Sequence, residues 1–295
     1  MKMRLWITAA IFTAVSAFFI QTYFSSPSEK YAAFHSAENW LTDQSEREKS
    51  DLQDEPADRA SEVLATLSEH DHDGGEFGVH IDGVKNRFET NEQEIALTFD
   101  LCGGDFGSEL DEELVDFLRD EQIPAVLFVN KRWLTENEEQ FIDLYEDPLF
   151  TIENHGTEHK PLSVEGKEGW GIDGTGSPEE AVEEVMINQQ AIYERTGYTP
   201  ELFRSGTAHV DESSVALVNR LGLETVNYDI LGDAGATYSA EEVKESLLNA
   251  EAGSIALLHM NQPNSETAAG VQKAVPELQA DGYEFVALDN KTLVD

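Results

Sequence analysis

From about residue 75 to the C-terminus, short uninterrupted apolar runs alternate with stretches of helical spacing. Runs of that kind suit strands covered on both faces. Strands are predicted over 95–99, 124–129, 150–152, 202–204, 225–228, 254–259 and 284–288, with a small hairpin over 77–88 turning at Asp82-Gly83. Helices are predicted over 108–120, 135–145, 177–196, 212–221, 239–250 and 267–280. The first carries Leu110, Leu114, Phe117 and Leu118 on one face with Ser108 as a candidate cap. Thr135 and Glu138 have capping-box spacing, and Ser177-Pro178-Glu179-Glu180 opens a long helix that Gly197 stops. Strand and helix alternate about seven times. That pattern implies an α/β fold with a parallel sheet covered on both faces, either open and doubly wound or closed as a barrel. In both, chemistry collects at the carboxyl ends of the strands.

The chain before this region reads differently. Lys2 and Arg4 precede an uncharged stretch over 5–28, apolar to Phe24, which predicts an export signal over 1–24. Val15-Ser16-Ala17 is a weak cleavage site, and Phe18-Phe19-Ile20 extends the apolar run to nearly the roughly 20 residues that span a bilayer. An uncleaved anchor with the rest of the chain outside is therefore favoured over a cleaved signal peptide. Residues 25–75 are acidic and poor in apolar periodicity, and read as a disordered linker with transient helix near 58–67. Residues 76–295 are then the catalytic domain.

Charge narrows the partners. With 59 acidic and 19 basic residues the formal net charge is −40. Such a surface repels phosphate backbones and anionic headgroups, so nucleic acid is excluded and the membrane is reached through the N-terminal segment only. The acids are spread along the chain, which favours a solubility adaptation to high salt over a cation-collecting face. Cys102 has no partner cysteine and forms no intrachain disulfide.

Candidate chemistry sits at strand ends. Asp100 closes the apolar run 95–99 ahead of a Gly-Gly turn, and an acid there needs a partner. Arg204 supplies one. His155 and His159 are four apart, so on a helix they would share a face and a metal. A third ligand would complete an open site; Asp100 is a candidate either for that position or for the base that activates water. His259 ends the strand 254–259 and suits a general acid, with Asp229 or Asp233 to hold its charged form.

Together, Thr98-Phe99-Asp100, His155-Gly156-Thr157-Glu158-His159, Phe203-Arg204, Asp229-x-x-x-Asp233 and Leu257-Leu258-His259 resemble, in order and spacing, the five motifs of the polysaccharide deacetylases, carbohydrate esterase family 4 with its NodB-homology domain. The resemblance covers about 77–295. It implies a distorted (β/α) barrel of about seven parallel strands, a divalent metal, usually zinc, and hydrolysis of N-acetyl groups from an amino-sugar glycan such as peptidoglycan or chitin. It also implies Asp100 as base, His155 and His159 as metal ligands, Arg204 as the group orienting the base, His259 as acid, and Asp233 or Asp229 as the residue tuning it.

Three departures stand out. The family has a second aspartate, a metal ligand, where this chain has Leu101, which leaves Asp100 or Asp105, or a water, to complete the site. Cys102 is a soft candidate, but reads as a small buried residue in a tight turn. Arg204-Ser205-Gly206-Thr207 replaces Arg-x-Pro-Tyr, and Thr-Phe-Asp-x-Cys-Gly-Gly marks a variant subgroup. The alternatives are a glycan-binding pseudoenzyme that has lost its metal, and a hydrolase of another small amide on the same fold.

Overall fold

A computed structural model describes residues 55–295. The predicted export segment and the linker up to residue 54 lie outside the described residues, none of whose helices is long and apolar enough to cross a membrane. The strands in chain order are β1 Phe77–Gly78, β2 Arg87–Phe88, β3 Glu94–Leu101, β4 Ala125–Val129, β5 Phe150–Asn154, β6 Leu202–Phe203, β7 Val210–Asp211, β8 Glu224–Thr225, β9 Ile230–Leu231, β10 Ser254–His259, β11 Glu284–Phe285 and β12 Leu293–Val294. The helices are α1 Pro56–Ala65, α2 Glu112–Asp120, α3 Lys131–Glu136, α4 Glu138–Glu146, α5 Pro178–Thr196, α6 Glu212–Arg220, α7 Ala240–Leu247 and α8 Thr267–Ala280.

Parallel pairing runs in the order β10-β3-β4-β5-β6-β8, with β11 beside the start of β3. The sheet curls. Residues 224–231 pair with β6 at their start and, through β9, with β10 at their end. Alternation along each strand sorts side chains between two faces. Ile95, Leu97, Phe99 and Leu101 of β3 join Leu127 and Val129 of β4, Ile152 of β5 and Leu258 of β10 in the core beneath the helices. Ala96, Val126, Phe128, Leu202 and Ile255 point inward to a second, smaller cluster. A third packs Val63 of α1 against Val182 and Val185 of α5 and Val215 and Val218 of α6.

Several boundaries differ from the sequence reading, each for a local reason. The 77–88 hairpin does not form: β1 pairs with β7, and β2 with β10 and β12. Two-residue strands obtain their ladder from distant partners that local sequence does not disclose. Asp111, not Ser108, caps α2, accepting from Leu114 N at 3.1 Å, while Ser108 Oγ accepts from Gly104 N. The 135–145 helix divides at Asn137 into α3, capped by Asn130, and α4. The linker assigned to 25–75 is folded in its described part beyond Glu55, since α1 buries Val63 against the body and Asp71 pairs with Arg220 at 2.8 Å. The long helix is capped as expected: Ser177 accepts from Glu180 N, and Gly197 stops it in a left-handed conformation.

Where β5 meets β6, only Asn154 and Phe203 pair. Glu153 fills the gap, accepting from Leu202 N at 2.7 Å, Glu201 N at 3.0 Å and the Tyr198 hydroxyl at 3.2 Å. Burial is the dominant influence and pushes its carboxyl up to about 8, although those hydrogen bonds pull the other way. Between its ordinary 4.5 and about 8 the folded state therefore holds a proton that the unfolded chain has lost. Stability falls as pH rises through that window and levels off above it. Urea unfolding across the window is expected to show this decline, and Glu153→Gln to flatten it.

Candidate active site

The inward-facing ends of β3, β5, β6 and β10 bring the chemistry together. Asp100 and His259 are register partners on adjacent strands. Arg204 follows β6, fully buried, and donates from all three nitrogens: Nη1 to Asp100 Oδ1 at 2.9 Å and Thr98 Oγ1 at 2.9 Å, Nη2 to the Asn227 carbonyl at 2.8 Å, and Nε to the Val226 carbonyl at 3.1 Å. Its guanidinium also lies 4.0 Å from the centre of the Phe128 ring. The Val226 and Asn227 carbonyls lie between β8 and β9, so the interruption of that strand is where Arg204 is satisfied. Burial alone would raise the Asp100 carboxyl, but His155, Arg204 and His259 outweigh it and hold it below the usual carboxylate range. Asp100 is thus an ionised, oriented acceptor.

Opposite it, His259 Nδ1 lies 2.9 Å from Asp233 Oδ1. Asp233 is fully buried and also accepts from His259 N at 2.7 Å and Thr267 Oγ1 at 3.0 Å. Burial would lower the imidazolium, yet Asp233 raises it well above an ordinary histidine. Of the two acids proposed for this role, the structure selects Asp233. Asp229 is displaced to the start of β10, where it pairs with Arg87 at 2.6 Å and accepts from Ser254 Oγ and Ile255 N. It positions strands rather than the site.

His155 and His159 come together without a helix. Residues 155–160 form an irregular loop, with the two rings perpendicular and 5.0 Å apart. What holds this loop was not foreseen. Glu184 of α5 is buried, and its carboxylate accepts from the backbone N–H groups of Thr157, Glu158 and Lys160. Its place on a mostly polar helix concealed it, although a glutamate on the buried face of that helix is the available signal. His159 has φ 60°, a left-handed conformation that costs a non-glycine residue on the order of 1 kcal/mol. A Cβ at Gly206 would strike the His159 backbone, which accounts for glycine there.

The third member of the cluster is Cys102. Its Sγ lies 3.8 Å from His155 Nε2, and the ligand atoms of Cys102, His155 and His159 all fall within 4.8 Å of one another. Donors of a tetrahedral site with bonds of about 2.0–2.3 Å stand roughly 3.5 Å apart, so this set fits a divalent metal. His155 Nδ1 lies 2.9 Å from the Arg204 carbonyl, which can only accept, so Nδ1 carries a proton and Nε2 is the nitrogen turned towards the cluster. Burial would raise the Cys102 thiol, but His159, His155 and His259 hold it well below its ordinary range. Burial pushes His159 down towards the neutral form that binds metals. Asp105, suggested as a ligand, is exposed on the Gly104–Phe106 turn and takes no part. Asp100 pairs with Arg204 through Oδ1 and turns Oδ2 to within 3.5 Å of His155 Nε2, while the three ligand atoms that cluster most closely are those of Cys102, His155 and His159.

These groups open into a cleft of about 360 Å³ lined by Asp100, His159, Trp170, Tyr228, Leu231 and His259. Trp170 is 81% exposed. It lies in a turn closed by reciprocal Gly169–Ile172 bonds, with φ 54° at Trp170 and 80° at Gly171. Turns with two left-handed central residues favour glycine or asparagine, so a tryptophan there is strained. Its ring meets His209 edge-on at 5.7 Å.

The profile of a family described as polysaccharide deacetylase matches residues 87–226. The peptidoglycan-N-acetylglucosamine deacetylase PgdA of Listeria monocytogenes is 25% identical over 201 residues, covering 68% of this chain and 39% of that protein. The chain thus spans well under half of that relative. A peptidoglycan-N-acetylglucosamine deacetylase of Bacillus cereus is 25% identical over 202 residues, covering 67% of this chain and 87% of that one. Among solved structures, PdaA of Bacillus subtilis, a family 4 carbohydrate esterase, has TM-score 0.58 at 22% identity over 70% of this chain and 84% of its own. A family 4 pseudoenzyme of Bacillus anthracis has TM-score 0.57 at 17% identity over 68% of this chain and 65% of its own. Both structural likenesses concern the fold.

If Asp233 holds the proton on His259, Asp233→Asn lowers the histidine's pKa. An NMR titration of the His259 ring is expected to move to lower pH in the variant, and an unmoved titration would contradict the pairing.

Proposed function

The chain belongs to the polysaccharide deacetylase family, and on that footing we propose that it is a metal-dependent hydrolase removing N-acetyl groups from an amino-sugar glycan outside the cytoplasm. The observation that carries the reading is the pair of buried, oppositely tuned couples, Arg204–Asp100 and Asp233–His259, facing one cleft beside two histidines. Two titratable groups driven apart in this way are what acid–base hydrolysis needs. We read the curled sheet as the family's distorted seven-stranded barrel, and the apolar segment over 1–24 as the export signal or anchor that places the domain outside.

A divalent metal, most simply zinc, is assigned to His155 and His159; when bound it polarises the amide carbonyl and acidifies water. Asp100, ionised and held by Arg204, takes the proton of the attacking water. His259, protonated through Asp233, faces it and donates to the leaving amine. The Arg204 guanidinium keeps Asp100 in one rotamer, so the base needs no reorganisation at the moment of reaction. Trp170 supports a carbohydrate substrate, since an exposed aromatic face at a cleft rim offers a sugar ring an apolar platform.

Purified protein is expected to release acetate from N-acetylated peptidoglycan or chitooligosaccharides, to lose that activity to a chelator and to regain it with zinc. Asp100→Asn should reduce release by about 10²–10⁴-fold. A folded protein that binds no metal and releases no acetate from any glycan would instead support the pseudoenzyme reading. Trp170→Ala is expected to raise KM severalfold on polymeric substrate with little change in kcat, and Trp170→Phe to restore it.

A further inference from the structure

We propose that Cys102 is the third protein ligand of the metal site, its thiolate supplying the negative charge that the family takes from the carboxylate missing at Leu101. The inference rests on the metal assigned above to His155 and His159, but its evidence is separate. Alternation along β3 turns Ile95, Leu97, Phe99 and Leu101 into the core beneath the helices. Leu101 is completely buried there, and an acid at that position would enter the same apolar core that holds Trp133 and Leu134. Two-residue periodicity puts Cys102 on the Asp100 side, and the geometry agrees: Sγ is 3.8 Å from His155 Nε2, and the Cys102, His155 and His159 ligand atoms are mutually within 4.8 Å.

The position is fixed by its surroundings. Gly103 adopts φ 73°, and a Cβ on it would collide with the Trp133 backbone; its N–H donates to the Gly107 carbonyl at 3.0 Å. The Cys102 carbonyl accepts from Arg132 Nη2 at 3.2 Å. The sulfur is thus presented by a turn with little freedom, as a preorganised ligand requires. His155 Nε2 is aimed by the bond between Nδ1 and the Arg204 carbonyl. Binding forms the metal–sulfur bond and releases the thiol proton to solvent. Two consequences follow. Asp100 is left to Arg204 and to proton transfer, and a soft donor biases the site towards zinc and cobalt over magnesium and manganese.

Cobalt(II) provides the test, because a bound thiolate adds a near-ultraviolet charge-transfer band that nitrogen and oxygen donors lack. The full chain titrated with cobalt is expected to bind one equivalent and develop that band. Cys102→Ser should lose the band and at least about tenfold in affinity, with circular dichroism and thermal unfolding of the metal-free protein unchanged. Cys102→Asp should recover affinity without the band, which separates ligand loss from misfolding, and Asp100→Asn should keep the band. One equivalent of cobalt bound without the band, or unweakened binding by Cys102→Ser, overturns the cysteine ligand and leaves the deacetylase reading intact. Failure of the native protein to bind cobalt, with inactivation by alkylation of Cys102, overturns the metal reading itself and points to a thiol nucleophile.

Discussion

A guanidinium with no access to solvent is the constraint around which the site is built. Arg204 cannot shed its charge, so every element near it must offer an acceptor. β3 supplies Asp100 and Thr98, while the chain between β8 and β9 supplies two carbonyls. The Arg204 carbonyl in turn fixes the tautomer of His155. One residue thereby ties the ionisation of the candidate base, the break in a strand and the aim of a candidate metal ligand to a single geometry. Removing its side chain would strand Asp100 as a buried charge, while the backbone carbonyl that aims the His155 ring would remain.

The two acid–histidine arrangements are built differently, and the difference matches their proposed tasks. Asp100 is compensated by a permanent cation and remains an acceptor. Asp233 is compensated by a histidine, by backbone N–H groups and by the Thr267 hydroxyl, so its charge favours the imidazolium. Between them the histidine loop is held by a carboxylate from α5, since three backbone N–H groups of a left-handed turn have no ladder to join. Glu184 is to that loop what Glu153 is to the start of β6: a buried acid standing in for missing backbone acceptors.

The long strands and the larger helices were legible because their burial writes a period into the sequence. β3, β4 and β10 fall within a few residues of their predicted spans, and Ser177 and Gly197 mark the ends of α5. The two-residue strands carry no such period, which is why the 77–88 segment looked like a hairpin although its partners are more than a hundred residues away. Similarly, α1 sits in an acidic stretch where Pro56 and Val63 are buried and Ala60 packs beside them, too few to stand out from a linker.

The sequence by itself determined the alternation of strands and helices, the residues at the strand ends and the strongly acidic balance of the chain, because these depend on local periodicity and residue chemistry. It named Asp100, His155, His159, Arg204 and His259 without knowing how they met. Tertiary structure alone decided which of Asp229 and Asp233 pairs with His259, because β9 between them runs along β10 and carries them to its opposite ends. It also decided that His155 and His159 converge from a loop clamped by Glu184 rather than from a helix. The face of Leu101 was recoverable in principle from the alternation 95-97-99-101. Only the curled sheet, in which β4 joins β3 to β5, shows that Cys102 rather than Asp105 forms a cluster with the two histidines.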